Sequence, residues 1–228
     1  NCPEGTWCPS GSGPDDGNHN YDGQIPNGFY VEAAATGFTA CPEGTFGKYD
    51  SNLKCLECPA GYFCPQATPL AGGPNNTPLP PSEFLCLVGF YCPAGTGKMS
   101  DSAIKCGVNT YNPLRGGDDV SSCKTCPDGY YNEFEGQQYC LRCKYSHYCT
   151  GGIANACPNG KYTDQLGVTS VNDCIDCPSG YKCDGASQPT SCPAGQFLTG
   201  GATGTCQNCT AGQICSRPGL FDEPDLPC

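Results

Sequence analysis

CLECPAGYFC, residues 55–64, carries within ten residues the two cysteine spacings that recur along this chain. Two residues separate Cys55 from Cys58, and five separate Cys58 from Cys64. Pro59 follows its cysteine and holds φ near about −65°. Gly61 comes two residues later and permits the tight turn. The aromatic that follows, Tyr62 or Phe63, is placed to fold over the adjacent sulfur bridge.

The same grammar appears on both sides of this stretch. Short C-x5-C loops run Cys2–Cys8, Cys58–Cys64, Cys86–Cys92, Cys143–Cys149, Cys177–Cys183 and Cys209–Cys215. Long loops of C-x13-C or C-x16-C run Cys41–Cys55, Cys106–Cys123, Cys126–Cys140, Cys157–Cys174 and Cys192–Cys206. If every loop closes on itself, 22 cysteines pair and Cys228 is left free or intermolecular. Spacing does not dictate connectivity. Cys92 opens CPAGTG at C-x13-C spacing from Cys106, and a Cys92–Cys106 bridge would send Cys86 elsewhere.

Composition agrees with a stapled fold. The chain has 228 residues, of which 23 are Cys, 32 Gly and 22 Pro. Leu, Ile, Val and Phe together supply 32, too few for one large core. Disulfide closure takes over the stabilising role, at roughly 3 kcal/mol for a loop of about 15 residues. The expected fold class is small and disulfide-rich: tandem cysteine-rich modules in an elongated rod, with short β-hairpins and almost no helix.

Zinc is the competing use of the five C-x2-C pairs, Cys55/Cys58, Cys123/Cys126, Cys140/Cys143, Cys174/Cys177 and Cys206/Cys209. It leaves the C-x5-C loops unexplained. A net charge of −11 also argues against a nucleic-acid module. So many bridges imply an oxidising compartment, extracellular or at the cell surface. No apolar run approaches a membrane span, and no metal or other cofactor is expected.

The spacing divides the chain into a cysteine-poor segment at 1–40 with one short loop and a first module at 41–64. A Pro/Gly-rich connector at 65–85 follows, then middle modules at 86–156, a module at 157–191 and a C-terminal module at 192–228. Residues 28–38, GFYVEAAATGF, are strand-like and have no cysteine to order them, so they are expected to seek a partner edge.

The opener CPEGTF at 41–46, the run CLECPAGYFC at 55–64, and the echoes CIDCPSGYKC at 174–183 and CQNCTAGQIC at 206–215 resemble the ephrin-receptor-like cysteine-rich repeats. Those repeats are related to tumour-necrosis-factor-receptor and growth-factor-receptor cysteine-rich modules. The resemblance covers about 41–64 and 86–215. It implies rod-forming spacers of the kind found in receptors, adhesins, and protist or algal surface and mastigoneme-type glycoproteins. It carries over no catalytic residue. CKYSHYC at 143–149 departs from the pattern because it lacks Pro-x-Gly.

Little else in the chain points to chemistry. His19 and His147 are remote in sequence, and Cys228 is the one cysteine outside the loop scheme, so no nucleophile–base pair is legible and the chain is read as no enzyme. Asp15, Asp16, Asn18, Asn20 and Asp22 resemble the start of a calcium loop, but position 12 of that register is Phe29 rather than Glu, and a solvated turn is the better reading.

Asn75-Asn76-Thr77 and Asn208-Cys209-Thr210 are N-glycan sequons. Thr68, Thr77 and Ser82 are further candidates for O-linked glycans. The expected role is a structural subunit of an extracellular glycoprotein filament, coat or wall, with copies of itself as partners end to end. The alternative is a ligand-binding ectodomain of a receptor or adhesin. In that case Phe29, Tyr30, Tyr130 and Tyr131 would form the contact patch.

Overall fold

The computed structural model describes residues 28–30, 39–47, 55–71, 78–211, 215 and 218–220. Among these, regular structure consists of nine two-stranded sheets, each made of consecutive strands, and four three-residue 3-10 turns. There is no α-helix among the described residues. The chain forms two compact units. One comprises Asn1–Gly107, Asn112–Lys124 and Gly136–Tyr139; the other comprises Val108–Tyr111, Thr125–Glu135 and Cys140–Cys228.

In the first unit β1 (Phe29–Tyr30) pairs antiparallel with β2 (Thr39–Ala40), β3 (Thr45–Phe46) with β4 (Leu56–Glu57), and β5 (Phe90–Tyr91) with β6 (Ile104–Lys105). Where residues 58–86 lack a two-residue strand pair, an antiparallel bridge joins Tyr62 to Leu85 in the same role. The second unit holds Thr110, Tyr111 and Thr125 of the sheet that joins β7 (Thr110–Tyr111) and β8 (Lys124–Thr125). The second unit contains β9 (Tyr130–Tyr131) with β10 (Leu141–Arg142), and β11 (His147–Thr150) with β12 (Ile153–Ala156). It continues with β13 (Lys161–Tyr162) and β14 (Ile175–Asp176), β15 (Tyr181–Lys182) and β16 (Thr190–Ser191), and β17 (Gln196–Thr199) and β18 (Thr205–Asn208).

One local rule generates these hairpins. The residue after the opening cysteine offers its carbonyl to the amide three positions on, as Thr45 N to Pro42 O, Tyr62 N to Pro59 O, Tyr130 N to Pro127 O and Tyr181 N to Pro178 O. The third residue after the cysteine sits in the left-handed region, with φ of 80° at Gly44 and 82° at Gly129. The two residues after that turn form the outgoing strand. The two residues before the next opening cysteine form the return strand.

The chain therefore uses a single hairpin with two kinds of staple, where the spacings alone suggested two kinds of loop. A long bridge such as Cys41–Cys55 ties the opening cysteine to the base of its own return strand. A short bridge such as Cys58–Cys64 ties it across the turn to the end of the outgoing strand. The bridges Cys86–Cys92, Cys106–Cys123, Cys126–Cys140, Cys143–Cys149, Cys157–Cys174, Cys177–Cys183, Cys192–Cys206 and Cys209–Cys215 complete the ten described.

Apolar packing is local and centred on sulfur. Phe46 is buried against Cys58 and Cys64, with Leu56, Tyr62 and Leu70 around them. Tyr131 is buried against Cys143 and Cys149, with Ala154 beside them. In both cases an aromatic of a long-bridged hairpin covers the short bridge of the next one, so neighbouring hairpins complete each other's core.

Two sequence expectations are corrected here. The strand-like stretch from Gly28 is not an unpaired edge at its start. Phe29 and Tyr30 pair with Ala40 and Thr39 of the same chain, and Gly28 N donates to Gly47 O. Ile25-Pro26-Asn27-Gly28 stands in the sequence where other hairpins have Cys-Pro-x-Gly. Thr68 is also no acceptor for an O-glycan in the folded chain. It is buried, and its hydroxyl donates to Pro65 O at 2.6 Å.

Candidate functional site

The feature that recurs at most steps of the described fold is the joint between one hairpin and the next, and it is the candidate functional element. It has two backbone bonds. The amide of each opening cysteine donates to the carbonyl of the preceding left-handed turn residue, and the amide of that turn residue donates to the sixth residue past the opening cysteine. In the first unit the pairs are Cys58 N to Gly44 O at 2.8 Å with Gly44 N to Cys64 O at 2.9 Å, then Cys86 N to Gly61 O with Gly61 N to Cys92 O, both at 2.8 Å. Cys106 N to Gly89 O at 2.9 Å, with Gly89 N to Asn112 O at 2.8 Å, repeats them. In the second unit the same pair joins Cys143 to Gly129, Cys157 to Ser146, Cys177 to Gly160 and Cys209 to Gly195.

The sixth position decides how the joint is sealed. In short-bridged hairpins it is the second cysteine. In long-bridged hairpins it is Gly47, Asn112, Asn132, Thr163 or Leu198, all buried. Asn112 Nδ2 donates to Phe90 O at 2.9 Å and Asn132 Nδ2 donates to Thr110 O at 3.0 Å, each reaching into the hairpin before it. At Asn112, whose Oδ1 also accepts from Leu114 N at 3.1 Å, a buried amide with both roles satisfied replaces a covalent bond as the seal. These residues were missed in the sequence reading. The signal was present: CGVNTYN, CPDGYYN and CPNGKYT place Asn or Thr where CPAGYFC places cysteine.

Replacing Asn132 by Ala is expected to leave the Thr110 carbonyl without this donor and to lower stability by about 1–3 kcal/mol. Urea unfolding of the oxidised protein measures it. An unchanged midpoint would show that the amide does not seal the joint.

Ser146 occupies the glycine position in the hairpin that lacks Pro-x-Gly. Its φ is 57°, and the residue is fully buried. The Oγ donates to Ser187 O at 2.7 Å and accepts from Gln188 Nε2 at 3.1 Å. Gln188 Nε2 also donates to Thr163 O at 3.0 Å. A hydroxyl that anchors a later loop compensates the backbone cost of a left-handed serine.

Charged side chains pair locally on this frame. Lys144 Nζ lies 2.7 Å from Glu133 Oε1 and 5.5 Å from the centre of the Tyr131 ring. The hydrogen bond that Lys144 donates to Glu133 raises the Lys144 pKa above its ordinary value. The Ser121 hydrogen bonds hold Asp119, which caps the 3-10 turn Val120–Ser122, below its ordinary value of 3.8. A depressed carboxyl stabilises the fold fully above its unfolded value, and that contribution is lost as pH falls through the lower folded value. NMR titration is expected to place the Asp119 midpoint below that of an unstructured Asp, with the Ser121 amide shifting in parallel. Coincidence with the unstructured value would remove the cap.

The remaining sequence candidates fall as follows. The described cysteines of all five C-x2-C pairs are in disulfides with other partners, which leaves no thiolate pair for zinc. Among the described residues no group of three His, Cys, Asp or Glu could hold a metal ion. Tyr131 is buried and so leaves the proposed aromatic patch, while Tyr130 is exposed and Phe29 and Tyr30 are half-buried. Asn208 is exposed at the end of β18. Cys2, Cys8, Asn75, Cys228 and the acidic stretch at 15–22 lie outside the described residues.

The fold and its joints define a class: a cysteine-rich repeat protein built from strand-only, disulfide-stapled modules. Cysteine repeat modular protein B of Toxoplasma gondii is 29% identical over 164 residues, covering 64% of this chain. The chain spans about 2% of that relative's length. No family model matches. So many disulfides are a feature of proteins of oxidising compartments, extracellular or at the cell surface. No helix among the described residues is long and apolar enough to cross a membrane.

Proposed function

We propose that this chain is a structural segment of an extracellular or cell-surface glycoprotein filament, coat or wall, and that it associates with copies of itself end to end. The observation that carries this reading is the joint. The same two backbone bonds recur from hairpin to hairpin in chain order within each unit, so the fold is a serial array. An array of equivalent joints ends, wherever it ends, in donors and acceptors that a second array can fill. A head-to-tail contact of that kind does not close on itself and gives open assemblies. Phe29 and Tyr30 are already paired with Ala40 and Thr39, so the contact is assigned to terminal joints rather than to that pair. Asn75 and Asn208 are the proposed N-glycan carriers.

Light scattering of the secreted, oxidised protein across a wide concentration range tests the association. Mass rising with concentration in steps of one chain is expected, with strings of particles in negative-stain images. A constant monomer mass throughout would remove self-association.

A further inference from the structure

We propose that Asn208 is a glycan acceptor whose occupancy is decided by a race between glycan transfer and closure of the Cys209–Cys215 bridge. Of the functional reading above, this inference rests only on passage through a secretory compartment. The sequon Asn208-Cys209-Thr210 is unusual in that its middle residue is itself a bridge cysteine.

Folding holds this sequon at several points. Asn208 is the last residue of β18, opposite Gln196 of β17. Gln196 Nε2 donates to Asn208 Oδ1 at 3.0 Å, which fixes the acceptor amide across the hairpin. Cys209 N donates to Gly195 O at 3.1 Å, the joint bond of this hairpin. Cys209 is then covalently tied to Cys215. A transferase needs the sequon in a freely shaped surface loop, so that the Asn amide and the Thr hydroxyl can be presented together. The strand register, the joint bond and the bridge each deny that freedom once formed.

The transfer itself has no conflict with the finished fold. All four residues of β18 are exposed, so a sugar on Asn208 Nδ2 leaves the surface outward, and Oδ1 remains able to accept from Gln196 Nε2. In the step, Asn208 Nδ2 bonds to the anomeric carbon of an oligosaccharide carried on a lipid diphosphate. The anomeric carbon–oxygen bond breaks, the lipid diphosphate leaves with the electron pair, and the amide nitrogen gives up one proton to the transferase. Nothing is oxidised or reduced. Two folded products follow from one chain: glycosylated molecules, modified before closure, and bare molecules, closed first.

The test expresses the full chain behind a cleavable secretion signal in a glycosylating host. Occupancy at Asn208 is read by enzymatic deglycosylation in heavy-oxygen water and peptide mass spectrometry, on intracellular and secreted protein together. Wild type is expected to be partly occupied. Cys215→Ser, which removes the partner of Cys209 and leaves the sequon intact, is expected to raise occupancy several-fold. A brief pulse of permeant thiol reductant during synthesis should do the same for wild type.

Cys64→Ser opens a distant bridge and should leave Asn208 occupancy unchanged, which separates local closure from general misfolding. Equal occupancy in wild type and Cys215→Ser, an equal rise in Cys64→Ser, or no glycan in any form would overturn the proposal. Because the host supplies the secretory route, a non-secretory location of the natural protein would be detected separately, by localising it in its source.

Discussion

Full reduction of the bridges is expected to abolish the fold and leave no residual core. The fully or nearly buried positions are dominated by cysteine, with Phe46, Tyr131, Val168, Phe197 and Leu198 among the few other apolar residues. In the chain-entropy account each short closure contributes about 2 kcal/mol and each long one about 3 kcal/mol, all of it lost on reduction. The loss is compounded because Phe46 and Tyr131 pack directly on the sulfur bridges Cys58–Cys64 and Cys143–Cys149. Opening them removes the surface those rings cover. Circular dichroism and amide NMR of the same sample before and after strong reductant measure this. A cooperative thermal transition surviving in reductant would mean that the cores hold without their staples. Removing one bridge alone, by Cys126→Ala with Cys140→Ala, should cost about 3 kcal/mol.

Gly89→Ala is expected to be among the more damaging single substitutions outside the cysteines, at about 3 kcal/mol. Gly89 has φ 80°, so any side chain incurs the left-handed cost of about 1–2 kcal/mol. A Cβ built there would also lie 2.1 Å from Gly136 O, a backbone atom that cannot swing away. Three backbone bonds meet at this turn: Gly89 N to Asn112 O, Cys106 N to Gly89 O, and Phe90 N to Leu87 O. Relieving the clash strains all of them.

Gly195→Ala is the matched control. Its φ is 88°, yet an added Cβ meets nothing within 4 Å, so the conformational cost of about 1–2 kcal/mol stands alone. Urea unfolding of both variants in the oxidised state gives the comparison. Equal losses would show that the approach of the Gly136 carbonyl does not select glycine at 89.

The sequence by itself determined the class of fold. Cysteine spacing and the Pro-x-Gly turn are local properties, set by covalent reach and by which residues tolerate positive φ, so strand-only modules closed by bridges were legible from CLECPAGYFC outward. The tertiary structure decided what lies between modules. That long and short loops are one hairpin with two staples depends on bonds such as Cys58 N to Gly44 O, which no spacing encodes. That Asn112 and Asn132 replace cysteine as the seal depends on Phe90 and Thr110 carbonyls lying 22 residues earlier in the chain.

Ser146 could take the glycine position because the Ser187–Gln188 backbone and side chain arrive from a later hairpin to satisfy its hydroxyl. Phe29 and Tyr30, free strand in prospect, found Ala40 and Thr39 across eight intervening residues. In each case the deciding partner is distant in sequence. A side chain reports its own preferences locally, but which carbonyl it meets is settled only when neighbouring hairpins stack.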